Sequence, residues 1–211
     1  SVASSSPEIM IGQVARETRR IRVGSGGVML PNHAPLKVAE NFRVLEALFP
    51  DRIDLGIGRA PGSDTLTALA LRRSREALGA DEFPRLLAEL IAFTSGQFPI
   101  GHAFAAITAM PGDVDLPPIW LLGSSDFSAQ LAAAIGLGFA FAHHISPGSA
   151  VEALRLYRDN FEPSETLKEP VAILATTAVV AETDERAREL SSSLALSFLR
   201  LRSNRPAPIP S

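Results

Sequence analysis

The sequence contains no cysteine, which excludes disulfide scaffolds, thiolate metal sites and cysteine nucleophiles. It lacks any apolar run long enough to span a membrane, and no basic segment followed by an apolar one opens it as a signal peptide would. Neither sign of charge dominates. Lys and Arg number 20 against 23 Asp and Glu, a formal net charge of −3, so there is no electrostatic case for nucleic acid or an anionic membrane as a partner. No Gly-x-Ser-x-Gly elbow is present, so serine hydrolase chemistry lacks its motif. No carboxylate–histidine spacing suggests a metal site. Nothing points to secretion, and the expected location is the cytoplasm.

What is present is an ordinary globular α/β composition: 211 residues, 46% hydrophobic and 20% charged, enough for one core. The chain enters at a helix start. Ser4, Ser5 and Ser6 offer a cap, Pro7 suits the first turn, and Glu8 complements the positive helix end. Helices are predicted over residues 8–20, 36–48, 65–78, 83–93, 125–135, 150–161 and from Thr183 to about residue 202. Strands are predicted over 21–30, 53–57, 118–122, 139–142 and 171–180. An irregular excursion occupies about 95–117, and a Pro-rich tail 205–211 follows a single domain over 1–204. The strands are short and apolar on both faces, as parallel strands covered by helices should be. Two architectures fit, a (β/α)8 barrel and an open doubly wound sheet, and both gather their sites at the carboxyl ends of the strands.

Three strand ends carry candidate chemistry. In Val23-Gly24-Ser25-Gly26-Gly27-Val28, glycines interrupt a strand, through either a packing bulge or the close approach of a flat ligand to bare backbone. Arg59 follows the strand 53–57 between glycines and a proline, where a guanidinium could grip a phosphate bidentately or pair with a helix carboxylate. Gly56-x-Gly58 hints at a dinucleotide fingerprint, but Pro61 holds the third glycine position. In Gly123-Ser124-Ser125-Asp126-Phe127-Ser128 a strand runs into hydroxyls and a helix start, a place for a phosphate or merely a capped helix. Arg59 and the serines together are more specific than either alone, because a phosphate needs both charge and donors. His143 is a candidate proton donor or polar wall. His144 reads as solvated or satisfied by backbone, His33 as a loop residue bordering the site, and His102 as structural.

The segments Ala3-Ser4-Ser5-Ser6-Pro7, 22–31, Arg52-Ile53-Asp54-Leu55-Gly56-Ile57-Gly58-Arg59-Ala60 and Trp120-Leu121-Leu122-Gly123-Ser124-Ser125, in this order, resemble the bacterial luciferase-like flavin monooxygenases. The resemblance runs over nearly the whole chain and is most specific between Arg22 and Gly62. It implies an incomplete (β/α)8 TIM barrel that binds reduced FMN or, in some branches, the deazaflavin F420. It implies insertion of one atom of O2 into an aldehyde or similar small substrate, with reduced flavin from a separate reductase. Carried over residue by residue, Gly26 and Gly27 form the bulge under the isoalloxazine ring, often with a non-prolyl cis peptide, and Ser25 beside them counts with the cofactor-binding residues. Arg59 meets the FMN phosphate or ribityl chain, and Ser125 and Ser128 complete the phosphate cup, with Ser124 where relatives carry an acidic residue.

The resemblance places strands three to seven in this chain. The first two strands, with the main catalytic histidine, are expected upstream of Ser1, and the eighth strand after the last helix, so no catalytic residue is assigned here beyond the candidate His143. Homodimers through early helices are common in the family. The rivals are an F420-dependent hydride-transfer enzyme of the same fold, a non-catalytic flavin-binding relative or inactive fragment, and a Rossmann-type NAD dehydrogenase that lacks its glycine fingerprint. A partial barrel leaves strand edges unpaired. The 211-residue chain alone is therefore expected to be poorly stable or completed by a partner, and a cooperative, monomeric melt at high temperature would contradict that.

Overall fold

The computed structural model describes residues 6–60, 65–72, 82–203 and 205. These fall into two compact units, one running to Ala175 and one beginning at Thr176. The cap at Ser4 and Ser5, the loop beyond Ala60, the predicted helix beyond Arg72 and the tail beyond Arg205 lie outside the described residues.

The first unit alternates strand and helix. Its elements are α1 (Pro7–Glu17), β1 (Val23–Gly24), β2 (Val28–Met29), α2 (Pro35–Leu48), β3 (Ile53–Gly58), α3 (Thr65–Arg72), α4 (Phe83–Ser95), β4 (Ile119–Gly123), α5 (Asp126–Ala134), β5 (Gly138–Ala142), α6 (Ala150–Asp159) and β6 (Ala172–Ala175). Every strand pair is parallel. β1 and β2 both lie along β3, as two halves of one interrupted strand, and β4, β5 and β6 follow in chain order. That order never reverses. A doubly wound sheet needs a switch point where it does, so the topology is that of a (β/α)8 barrel over five strand positions. Ile53, Leu55, Ile57, Leu121, Phe139 and Phe141 are wholly buried, because helices cover one side of the strands and neighbouring strand side chains fill the other.

The interruption between β1 and β2 is built by Ser25. Its hydroxyl donates to the Gly56 carbonyl at 2.9 Å and accepts from the Gly56 amide at 3.0 Å, so a side chain takes the place of a ladder partner. Backbone approaches backbone closely here. A Cβ on Gly27 would lie 2.7 Å from the Gly56 oxygen, and one on Gly56 would collide with the Ser25 carbonyl. Glycine is the residue that fits both positions.

At the opposite, amino ends of the strands, Asp54 accepts two bonds from Arg22, at 2.8 and 2.9 Å, and one from the Trp120 indole at 3.0 Å. This triad ties β1, β3 and β4 at the barrel's stability face. Tyr157, on α6 and fully buried, donates to the carbonyls of Leu137 (2.9 Å) and Val171 (3.2 Å) and accepts from the Val171 amide (3.1 Å). It thereby fixes the entry of β6 beside β5. β6 is shorter than the predicted 171–180. Its partner sets its length, since β5 ends at Ala142, opposite Ala175.

The excursion after α4 is irregular, as the sequence suggests, yet anchored. Arg43 on α2 is 2% exposed and donates to the carbonyls of Ala109 (2.5 Å) and Thr94 (3.0 Å). Thr94 lies in the last turn of α4, where the helix dipole is negative and helps offset a buried cation. Phe93, Phe98, His102 and Phe104 pack ring against ring around the same place, and the Met110–Pro111 peptide is cis.

In the second unit the long helix α7 (Asp184–Arg202) is capped by the Thr183 hydroxyl, which accepts from the Arg186 amide at 3.2 Å. Leu199 and Val180 are exposed there.

Two outcomes follow. Tyr157→Phe removes the hydroxyl from the part-buried Val171 amide and from the Leu137 carbonyl, while the Val171 carbonyl keeps the Phe139 amide, and should cost about 1–3 kcal/mol, read as a lower thermal midpoint. Burial raises the Tyr157 pKa above its ordinary value. The hydroxyl's contribution is therefore intact below that value and lost as pH rises through the folded-state value, so the variant should lose less stability in alkali than the parent. Arg43→Met should cost about 2–4 kcal/mol, since two carbonyls lose charged donors, and proteolysis should then cut first within 96–117.

Candidate functional site

The carboxyl ends of the strands hold the candidate residues. β3 ends at Gly58, and Arg59 follows it. Its guanidinium carbon lies 4.1 Å from the centroid of the Phe127 ring. Phe127 is the second residue of α5, the helix that follows β4. The strand tip and the helix start that the sequence singled out therefore meet on one rim, between neighbouring strands. Among the described residues Arg59 forms no ion pair and no hydrogen bond.

The three serines of the helix start differ in what they do. Ser125 is the residue before α5, in extended conformation, and its exposed hydroxyl makes no capping bond. It is thus free, alongside first-turn amides that have no partner within the helix. Ser124 is half-buried. Ser128 is buried, and its hydroxyl lies 3.4 Å from the Leu122 carbonyl, tucked into the strand-to-helix turn. The turn admits it because Gly123 is bare: a Cβ there would lie 2.5 Å from the Ser128 oxygen.

The glycine bulge offers a flat surface. The Gly26–Gly27 peptide is cis. On the Gly26 side nothing stands within 4 Å of where a side chain would begin, whereas Gly27 is pressed against β3 and against Leu122 of β4. Leu122 thus borders both the bulge and the Ser128 turn. Ser25 lies in the bulge with its hydroxyl committed to Gly56, so its side chain shapes the platform from behind.

Past β5, His143 is half-buried, and its ring makes no hydrogen bond among the described residues, while its amide donates to Phe141 at 3.1 Å. His144 is exposed, and its ring Nδ1 lies 3.1 Å from the Ala175 carbonyl, tying the turn to β6. His33 follows the turn after β2. Desolvation lowers its pKa, against the opposing pull of the Glu8 carboxylate. His102 stacks on Phe98 at 4.7 Å, and its Nδ1 accepts from the Phe104 amide at 3.2 Å, which commits it to the excursion. Phe127 is the residue that motif reading passed over. An aromatic two places into a helix after Gly-Ser-Ser was the only trace of it in the sequence.

Residues 2–208 match the family model described as luciferase-like monooxygenase. An uncharacterized Bacillus subtilis protein, YvbT, is 50% identical over 95% of this chain and 58% of its own length. A luciferase-like monooxygenase of Escherichia coli K12 is 44% identical over 99% of this chain and 61% of its own. The chain thus spans about three fifths of the length of these relatives. The crystal structure of apo-MsnO8 superposes with a TM-score of 0.85 at 42% identity, covering 97% of this chain and 60% of that one. The fold alone is shared, at TM-score 0.65 and 18% identity, with the oxygenating constituent of a Pseudomonas putida 3,6-diketocamphane monooxygenase in complex with FMN, over 92% of this chain and 59% of that one. The half-barrel of parallel strands is that of these enzymes, and the chain belongs to the luciferase-like monooxygenase family.

Proposed function

We propose that this chain forms the greater part of a reduced-FMN-dependent monooxygenase acting on an aldehyde-like or other small organic substrate, with O2 as co-substrate and a separate flavin reductase as partner. The observation that carries this is the Arg59 guanidinium, held on the first turn of α5 with no carboxylate partner among the described residues. A phosphate monoester suits that place, since it brings the charge the arginine lacks and accepts from the helix amides.

The residues fit such a cofactor at both ends. Arg59 pairs with the phosphate. The α5 amides and the Ser125 hydroxyl donate to it, with Ser124 and Ser128 lining the turn beneath. The open side of Gly26 accommodates a flat ring, while Ser25 and Gly56 hold the platform rigid behind it. Reduced flavin bound there supplies the electrons that activate O2, one oxygen atom going to the substrate and the other leaving as water. The protein's part is to orient the ring, exclude water and offer a proton, and the unbonded ring of His143 is the candidate within this chain.

Anaerobic titration of the full chain with reduced FMN tests the assignment. Arg59→Ala should raise the dissociation constant by roughly ten- to a hundredfold, the worth of one charge-assisted bond of about 1.5–3 kcal/mol. Unchanged affinity refutes the phosphate role. Tighter binding of F420 than of FMN would move the protein to the hydride-transfer branch.

A further inference from the structure

We infer that Phe127 is the positioning residue for Arg59: its ring holds the guanidinium over α5 and off the neighbouring carboxylate, so that the arginine's donors wait free for a phosphate. This rests on the phosphate-binding role given to Arg59 above.

Asp126, exposed at the first position of α5, stands one residue from Phe127. A guanidinium that paired with that carboxylate would use its planar fork of N–H groups on the wrong anion. No ion pair joins them. Arg59 instead lies 4.1 Å over the Phe127 ring. Contact with an aromatic face engages the charge of the guanidinium, and the ring offers no acceptor oxygen, so the N–H donors stay unspent. The ring is itself fixed, since Phe127 is partly buried and packs against the main core. A long, flexible side chain is thereby ordered before the ligand arrives, which lessens the entropy lost on binding.

The test compares reduced FMN with reduced riboflavin, which has the same ring and no phosphate, in anaerobic titrations of the full chain. Phe127→Leu should weaken FMN by roughly three- to thirtyfold and leave riboflavin unchanged. Phe127→Tyr, which keeps the aromatic face, should retain FMN affinity. In an Arg59→Ala background, Phe127→Leu should cost nothing further. Asp126→Asn should recover more affinity in the Phe127→Leu protein than in the parent. If the leucine variant does not fold, Phe127→Met, which keeps the volume and loses the π face, gives the same comparison. An FMN affinity untouched by Phe127→Leu, an equal loss for riboflavin, or a full additional loss without Arg59 each overturns the inference. If Arg59→Ala weakens FMN and Phe127→Leu does not, only the inference fails. If Arg59→Ala has no effect, the phosphate reading fails and carries the inference with it.

Discussion

The hydroxyl of Ser25 meets both the amide and the carbonyl of Gly56, and the interruption between β1 and β2 depends on that contact. A strand that bulges away from its neighbour leaves backbone groups without ladder partners, and a buried amide or carbonyl left unpaired is costly. The serine satisfies two of them at once. Because it does, the chain can leave the ladder after Gly24, expose the open side of Gly26, and rejoin β3 at Val28. Without the bulge there is no flat surface, and without a partner for Gly56 there is no bulge.

A second constraint runs through β4. Leu122 touches the bulge on one side, and its carbonyl faces the Ser128 hydroxyl on the other. The ring platform and the helix start are thus separated by the width of one strand. A flavin mononucleotide is a flat ring joined by a short chain to a phosphate, and the rim presents a bare surface and a cationic corner in that sequence. Neither feature is specific alone, since bulges are frequent and helix starts are everywhere. Their placement on the two strands that flank β3, with the Arg59 guanidinium at the tip of β3 and unpaired among the described residues, is what favours this cofactor.

Much of the fold was legible because it is local. Apolar runs between helices with a 3.6-residue period marked the five strand positions, and the glycine cluster marked an interruption in the first of them. What was not legible depended on distant partners. β6 stops at Ala175 because β5 stops at Ala142, which no property of residues 176–180 reveals. The anchoring of the excursion by Arg43 joins residues 66 positions apart. At the site, Arg59 and the serines could be named from spacing, but the division of labour could not. Ser125 and Ser128 read alike as donors to a ligand; the Ser128 hydroxyl faces the Leu122 carbonyl and the Ser125 hydroxyl makes no capping bond, while Ser25 in the bulge is bonded to Gly56. Phe127 escaped notice because an aromatic residue early in a helix is ordinary until its distance to an arginine is known.

The triad of Arg22, Asp54 and Trp120 sits at the amino ends of the same strands whose carboxyl ends carry the candidate chemistry. Architecture is secured at one pole and reactivity displayed at the other. Loops on the reactive pole can therefore lengthen, shorten or change character without loosening the strands beneath them, whereas alteration of any of those three side chains is felt in every strand they join. A lineage built this way is free to explore new substrates while its scaffold stays fixed.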